Sequence, residues 1–285
     1  MDTTPAWVVP AMRIGFFGRG LTYAVTGGLA VSAALYGGQA EGTTEALESL
    51  RGSPWGLAAL AAIALGLACY AVWRLMAAAF DLDAHGGGAK GALARAGQVV
   101  SGLIHLALGL YAGSLLLGIR VGGGGEGDGG GGGARSLTAW LMQQPYGTWA
   151  VAAAGLVVIG AGGYYVHKGV SAGFRDKLHF TPLTRRLDPV LRYGVAAQGA
   201  VVGIIGVLLV WAAWTYDPDK AGGLGQALAA LRGAAFGQAL LLAVAAGLLA
   251  FALFCWVMAA YGLVPRCRSD ETPTLARRLE AQAGA

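Results

Sequence analysis

The sequence predicts an all-α integral membrane protein that crosses the bilayer several times. Of its 285 residues, 56% are hydrophobic and only 12% are charged, which is about half the charged share of an ordinary soluble domain. This composition argues against a soluble protein, because too few polar side chains are available to cover the surface. Six uncharged stretches and three copies of one glycine-rich pattern predict the architecture within that class.

The six uncharged stretches are each long enough to span a bilayer as a helix. A transmembrane helix needs about 20 apolar residues, since the hydrocarbon core is about 30 Å thick. None of the stretches alternates polar and apolar residues as the strands of a membrane barrel do. The stretches cover residues 20–40, 52–73, 96–119, 136–166, 193–216 and 233–265.

The lysines and arginines predict which way the chain faces. Fifteen lie in the N-terminal segment, in the connections after the second and fourth spans and in the C-terminal tail, and five lie in the other connections. Basic residues accumulate on the cytoplasmic side of membrane proteins. We therefore expect a protein of the bacterial inner membrane with both termini in the cytoplasm. The net charge of +5 predicts attraction to anionic lipid of the cytoplasmic leaflet and no nucleic-acid partner, since no nucleic-acid motif is present.

One sequence unit occurs three times. Each copy contains Arg-x-Gly-x4-Gly-x6-Gly, then a leucine pair, a turn that ends in glycine, and an aromatic residue seventeen positions after that glycine. The unit predicts three tandem helical hairpins, with repeats at 13–81, 95–170 and 192–264. Because each repeat holds two spans, all three have the same orientation, so pseudo-threefold symmetry about the membrane normal is expected.

The later glycines of each copy predict faces for helix packing. Residues seven apart lie on nearly one face of a helix, and small residues let another backbone approach closely inside a membrane. A phosphate-binding loop is a poor alternative, because no strand precedes these glycines. The predicted packing glycines are Gly20, Gly27, Gly102, Gly109, Gly199 and Gly206.

This thrice-repeated unit resembles a bacterial integral membrane family known only as domain of unknown function 1206. The resemblance rests on the arginine-glycine pattern, the leucine pair and the proline-aromatic-glycine turn, and it covers residues 13 to about 264. The family's first helix tends to read Ala-Arg-Gly with a following tyrosine. Arg19, Gly20 and Tyr23 fit that tendency, whereas Ser101 and His105 replace Arg19 and Tyr23 in the second copy. The resemblance implies the fold and leaves the chemistry open.

Two segments differ in character from the spans. Residues 122–133 contain ten glycines, and they predict a flexible outer loop that accounts for the greater length of the second copy. Residues 265–285 predict a polar cytoplasmic tail. The rest of the chain, residues 1–264, is expected to form a single membrane domain.

Polar residues inside the spans are candidate site residues, because polar groups are costly in lipid. His105 lies about 15 Å along its helix from Arg95, where it could relay a proton or bind a ligand or, as a neutral side chain, donate one hydrogen bond to a neighbouring helix. Pseudo-threefold order would bring Arg19, Ser101 and Gln198 to one depth, with Gln98 one turn nearer the cytoplasm. Together they would form a polar vestibule, a head-group pocket or interhelical hydrogen bonds. The candidate cluster consists of Arg19, Gln98, Ser101, His105 and Gln198.

Basic side chains near the cytoplasmic ends of the spans predict contacts with lipid head groups. Long basic side chains at a helix end can place their charge at the membrane surface while their stems stay apolar. The predicted belt consists of Arg13, Arg74, Arg95, His167 and Arg192.

The sequence contains no motif for catalysis or for a cofactor. Its three cysteines, Cys69, Cys255 and Cys267, form no C-x-x-C pair, its four histidines are scattered, and no G-x-S-x-G nucleophile is present. We therefore expect no enzyme, no metal and no cofactor.

Two classes of function remain open. The first is a scaffold or accessory subunit that docks a membrane-protein partner, another copy of itself or lipid. The second is a small-solute transporter or channel with its pathway on the pseudo-threefold axis. All aspartates and glutamates lie outside the spans, and this favours the first class because ion-coupled carriers commonly need an intramembrane carboxylate.

Overall fold

The computed structural model describes residues 7–38, 41–86, 88–119, 132–179 and 181–263. Within these ranges the regular structure is helical, apart from one isolated β-bridge between Leu178 and Gly262. The predicted tail at 265–285 lies outside the described residues, as do positions 122–131 of the predicted glycine-rich loop. The last two positions of that loop belong to the first turn of a helix.

The described chain contains three sets of two long helices with a short helix between them. The 3-10 turns are Leu50–Gly52, Arg175–Lys177 and Pro218–Lys220. The short helices are α2 (Thr43–Ser49), α5 (Gly132–Met142) and α8 (Leu224–Arg232). The long helices are α1 (Val8–Tyr36), α3 (Pro54–Phe80), α4 (Ala89–Leu117), α6 (Gly147–Val170), α7 (Pro182–Thr215) and α9 (Gly237–Tyr261).

Five of the long helices, α3, α4, α6, α7 and α9, are long and apolar enough to cross a membrane. Helix α1 is not among them, although its 29 residues extend about 44 Å. Arg13, Arg19 and several glycines and threonines lower the hydropathy of any span-length part of α1. The prediction of a multi-pass, all-helical protein is thus confirmed, while the sixth span and the threefold order stay predictions.

The long helices pack side by side in the order α6, α7, α9, α1, α3, α4. The first helix of each repeat packs against the second helix of another repeat: α4 on α3, α7 on α6 and α1 on α9. Helices α1 and α7 also pack against the second helix of their own repeat. Helices α4 and α6, both from the second repeat, share no extended contact within the described ranges. We call the side of the molecule between α4 and α6 the open side.

Each returning helix begins at the same tight turn. A Cβ atom added at Gly56, Gly147 or Gly237 would overlap a backbone carbonyl oxygen five or six residues earlier. Only glycine fits this close approach. The turn glycine therefore sets where α3, α6 and α9 start in each repeat.

The short helices differ in how firmly they are held. Leu47 of α2 and Leu228 of α8 are fully buried in apolar clusters. Leu137 of α5, at the first leucine position of the second repeat, is 63% exposed. The second repeat is thus less tightly packed than the other two at its short helix as well as between its long helices.

The largest core cluster lies toward the end of the bundle that holds Asp83 and Lys177, which we call the charged end. Its members come from α1, α3, α7, α9 and the segments after α3 and α6. Aromatic side chains dominate this core, and they include Phe16, Tyr70, Trp73, Phe251 and Phe254. This aromatic core surrounds most of the candidate polar residues.

Candidate functional site

The six predicted packing glycines all lie against a neighbouring helix. An added Cβ would meet α9 at Gly20 and Gly27, and α6 at Gly199 and Gly206. It would meet α3 more loosely at Gly102 and Gly109, at 3.2 to 3.3 Å. These contacts join the first helix of each repeat to a different repeat.

The first glycine of the pattern distinguishes the second repeat from the others. A Cβ added at Gly15 would lie 2.6 Å from the Cα atom of Tyr70 in α3, and one at Gly194 would lie 2.5 Å from the carbonyl carbon of Ala250 in α9. Gly97 is exposed and would meet nothing within 4 Å. The two hairpins of repeats one and three are therefore closed backbone against backbone, and the hairpin of repeat two is open.

The returning helices show the same difference. Tyr70, Ala161 and Phe251 each follow their turn glycine by fourteen residues. Tyr70 and Phe251 are buried, whereas Ala161 is exposed. Three residues further along, Trp73 is 5% exposed and Tyr164 is 60% exposed. The positions that α3 and α9 bury in the interior are therefore exposed on α6.

A buried arginine lies at the centre of the aromatic core. Arg19 is 8% exposed, and its Nη1 atom donates a hydrogen bond of 2.9 Å to the hydroxyl of Tyr70. Its guanidinium carbon lies 5.0 Å from the ring centroids of Tyr70 and Phe251 and 5.6 Å from that of Tyr23. We call Arg19, Tyr23, Tyr70 and Phe251 the arginine cage.

The cage stabilises a charge that has no carboxylate partner among the described residues. A desolvated cation–π contact contributes about 2 kcal/mol, and three rings face this guanidinium. Because the rings belong to α1, α3 and α9, the contacts also hold these three helices together. The Nε atom of Arg19 is buried without a hydrogen-bond partner.

Two further candidate residues join the cage. Gln198 donates a hydrogen bond of 2.8 Å from Nε2 to the hydroxyl of Tyr23. The ring of His105 lies 4.5 Å from the ring of Tyr70, and its Nδ1 atom lies 2.7 Å from the carbonyl oxygen of Ser101. A carbonyl oxygen only accepts, so Nδ1 carries a proton in this geometry. The structure thus brings Arg19, His105 and Gln198 together, and it includes Ser101 through its backbone.

The remaining candidate, Gln98, belongs to a separate group of charged residues around Asp83. Lys177 Nζ lies 2.8 Å from Asp83 Oδ1, Arg74 Nη1 lies 4.0 Å from Oδ2, and Gln98 Nε2 donates to Oδ2 at 2.6 Å. Lys168 interacts electrostatically with Arg74, Lys177 and Asp83. We call Arg74, Lys168, Lys177 and Asp83 the basic cluster.

The basic cluster keeps its carboxylate ionised. Burial raises the pKa of Asp83, but the charge and hydrogen bond of Lys177 and the charge of Arg74 lower it by more. The net result is a pKa below the usual value for aspartate. At neutral pH, Asp83 is therefore a single negative charge among three cations.

Two members of the predicted head-group belt bind the ends of helices. Arg95 Nε donates to the carbonyl oxygen of Ala78 at 2.6 Å, and Arg192 Nε donates to that of Gly169 at 3.3 Å. These carbonyls lie in the last turns of α3 and α6, where backbone acceptors have no partner within the helix. Each arginine thus joins the start of one repeat to the end of the repeat before it.

The other members of the belt lie in different surroundings. Arg74 belongs to the basic cluster, His167 is exposed, and Arg13 is partly exposed. Contacts of any of the five with lipid head groups stay a prediction. Within the described ranges, no three histidine, cysteine, aspartate or glutamate side chains lie close enough to hold a metal ion.

Comparison with known proteins places the chain in a family. The model of the Domain of Unknown Function (DUF1206) family matches residues 14–81, 96–172 and 193–262, which together make up most of the chain. The chain belongs to this family. The three matched segments agree with the three tandem repeats predicted from the sequence.

A curated relative extends over nearly the same length. The uncharacterized protein YxxB of Bacillus subtilis (strain 168) is 27% identical over 255 residues, which cover 88% of this chain and 90% of that protein. No solved structure matches the chain.

Proposed function

We propose that this protein is a non-enzymatic membrane scaffold or accessory subunit that docks a transmembrane helix of a partner protein on its open side. The observation that carries this proposal is the difference at the first repeat glycine. At Gly15 and Gly194 the backbone of another helix occupies the contact, and at Gly97 the contact is empty. The helix contacts at Gly15 and Gly194 therefore indicate that a helix would also fit against Gly97.

The residues around the open side suit a helix as the occupant. Gly97 and Ile104 are exposed and lie on one face of α4, and Val157, Ala161 and Tyr164 are exposed and lie on one face of α6. Small residues next to larger apolar ones allow two helices to approach closely in a membrane. A partner helix with a bulky apolar side chain at the level of Ala161 would supply the volume that Tyr70 and Phe251 supply in the closed hairpins.

The proposal includes six spans in pseudo-threefold order. Helix α1 packs between α3 and α9, two helices that are apolar enough to span a membrane. A helix held between two spans would cross the bilayer with them. Its buried arginine, Arg19, would then contact protein instead of lipid. The excess of basic residues supports cytoplasmic termini and a bacterial inner membrane location, with anionic lipid at the charged end.

The transporter alternative receives less support. Tyr70, Phe251 and Phe254 pack in the interior where an axial pathway would run. Solute movement along that axis would require these buried rings to move apart.

The test is site-specific photo-crosslinking in the native membrane. A photoreactive phenylalanine analogue would replace Gly97 or Ala161 in the full chain, and the matched control would replace Gly28, which is exposed on α1 with no neighbour within 4 Å. We expect positions 97 and 161 to crosslink to one transmembrane segment of one protein, and position 28 to yield no such product. The same protein should co-purify with the unmodified chain.

Two outcomes would contradict the proposal. If positions 97 and 161 gave only lipid adducts, as expected of an ordinary lipid-facing surface, the open side would have no helix partner. If the crosslinked peptide came from a second copy of this chain, the open side would be a site of self-association instead of an accessory interface.

A further inference from the structure

The basic cluster contains more positive than negative charge. Arg74, Lys168 and Lys177 surround the single carboxylate of Asp83. The neighbouring Asp81 lies outside the cluster: its carboxylate oxygens accept hydrogen bonds from the backbone nitrogens of His85 and Gly86, and its Oδ1 atom lies 3.8 Å from Nδ1 of His85. Two positive charges of the cluster are thus left unbalanced.

Asp83 neutralises Arg74 less than it neutralises Lys177. Asp83 already binds Lys177 at 2.8 Å and Gln98 at 2.6 Å, whereas Arg74 Nη1 is 4.0 Å away. The Arg74 side chain is 15% exposed, and its Nε atom is buried with no hydrogen-bond partner. Its guanidinium lies 5.2 Å from the ring centroid of Trp73, so the aromatic core holds it in place.

Lys168 adds a second unbalanced charge from α6. The described residues place no carboxylate within 4 Å of its ammonium group, and its side chain is half-buried. Arg19 adds positive charge on the inner side, since Arg19 and Arg74 lie 5.0 and 5.8 Å from the same ring, that of Tyr70. Desolvated cations without a counter-charge are costly, and a bound anion would remove much of that cost.

We propose that the basic cluster binds a net-negative phosphate group, with Arg74 and Lys168 as its principal ligands and Lys177 at its edge. An arginine fork and a lysine ammonium are a common combination for phosphate recognition. The site lies at the charged end between α3 and α6, and Tyr164, which is close to Asp83 and Arg74, is exposed beside it. Basic pockets between transmembrane helices bind lipid phosphates in this way. The proposal is independent of the docking of a partner helix.

The test is binding by the purified full chain in a non-ionic detergent, measured by native mass spectrometry and by the rise in melting temperature. Four probes distinguish the source of the phosphate: phosphatidylglycerol, zwitterionic phosphatidylcholine, glycerol 3-phosphate and inorganic phosphate. Binding of phosphatidylglycerol alone would identify a lipid head group. If glycerol 3-phosphate or inorganic phosphate also bound, and its binding depended equally on the same residues, the ligand would be a soluble phosphate.

Variants with matched controls decide whether the cluster is the site. R74Q and K168Q each remove one proposed ligand, and R185Q and R186Q remove exposed charges from α7 outside the cluster. We expect R74Q and K168Q to weaken binding of the phosphate probe about tenfold or more, and the α7 variants to stay within about twofold of the unaltered chain. Circular dichroism and the elution volume from size-exclusion chromatography would establish that each variant is folded. If R74Q does not fold, K168Q alone tests the proposal.

Three results would overturn the proposal. One is equal weakening by the cluster variants and the α7 variants, which would indicate general attraction to a basic surface. Another is equal affinity for phosphatidylcholine and phosphatidylglycerol, and the last is the absence of binding by any of the four probes.

Discussion

The second repeat has the same glycine pattern as the first and third repeats, yet its two long helices do not pack together. In repeats one and three the first glycine presses against the returning helix, whereas Gly97 faces open space. The glycine is thus necessary for a closed hairpin without being sufficient for one. What differs on the returning helix is the residue opposite, Tyr70 or Phe251 in the closed repeats and Ala161 in the open one.

The aromatic residue has a clear physical role in closing a hairpin. Tyr70 and Phe251 both contact the guanidinium of Arg19, and Phe16 packs edge-on against Tyr70. Lipid is as apolar as a leucine side chain, so helices associate in it through packing and polar contacts. Alanine offers neither a ring for the arginine nor volume for the core, so α6 gains little by turning Ala161 inward.

The largest expected effect on stability comes from substituting the residue fourteen positions after the turn glycine. Y70A and F251A remove rings from the arginine cage and leave cavities, so each should lower the free energy of unfolding by about 3 kcal/mol or more. A161F adds a ring at an exposed position and should change it by less than about 0.5 kcal/mol. Thermal unfolding in detergent, followed by circular dichroism, measures all three. A cost for A161F as large as that of Y70A would mean that position 161 is packed inside the bundle.

A second, smaller effect comes from adding one methyl group at the first repeat glycine. G15A and G194A force a Cβ into a neighbouring backbone, and overpacking of this kind costs about 1 to 3 kcal/mol. G97A meets no neighbour and should be neutral or stabilising, because alanine favours a helix over glycine by about 1 kcal/mol. The same unfolding measurement compares the three variants. Equal destabilisation by all three would remove the distinction between closed and open hairpins.

The smallest effect is expected at the arginine contacts that join the second and third repeats to the repeats before them. R95Q and R192Q remove a cation from the carbonyl end of α3 or α6, and such contacts are worth about 0.3 to 1 kcal/mol. Because both arginines bind another repeat, their costs should be similar although Arg95 belongs to the open second repeat. Midpoints from a denaturing-detergent titration would detect a difference. A much larger cost for R192Q would show that the contacts between repeats are also unequal.

The contacts between repeats could largely be anticipated from the sequence, and the packing order could not. Identical spacing of Arg95, Gly102 and Gly109 with their counterparts predicts that the same face of each first helix is used for packing. Spacing does not reveal which helix meets that face, since this depends on contacts far apart in the chain. The structure pairs the glycine faces of α4 and α7 with α3 and α6 of the preceding repeats, and it pairs that of α1 with α9 of the third repeat.

The candidate site was partly predictable for a similar reason. Repeat position alone grouped Arg19, Ser101 and Gln198, and the structure places the first and last of these against one shared tyrosine, Tyr23. Tyr70 and Phe251 were missed, although an aromatic fourteen residues after the turn glycine in two of the three copies was a visible signal. The basic cluster was not predictable, because Asp83, Lys168 and Lys177 lie in different segments that only the fold brings together.

The most direct test of the open second repeat is disulfide formation between α4 and α6. In a chain whose native cysteines are replaced, G97C with A161C would form a disulfide only if the two helices pack together, since a disulfide needs Cβ atoms about 4 Å apart. The positive control is L67C with G109C, where an added Cβ at position 109 lies 3.3 Å from the Cβ of Leu67. Oxidation of the membranes, followed by intact mass measurement, should show a disulfide between positions 67 and 109 and none between 97 and 161. Equal formation of both disulfides would contradict the open side.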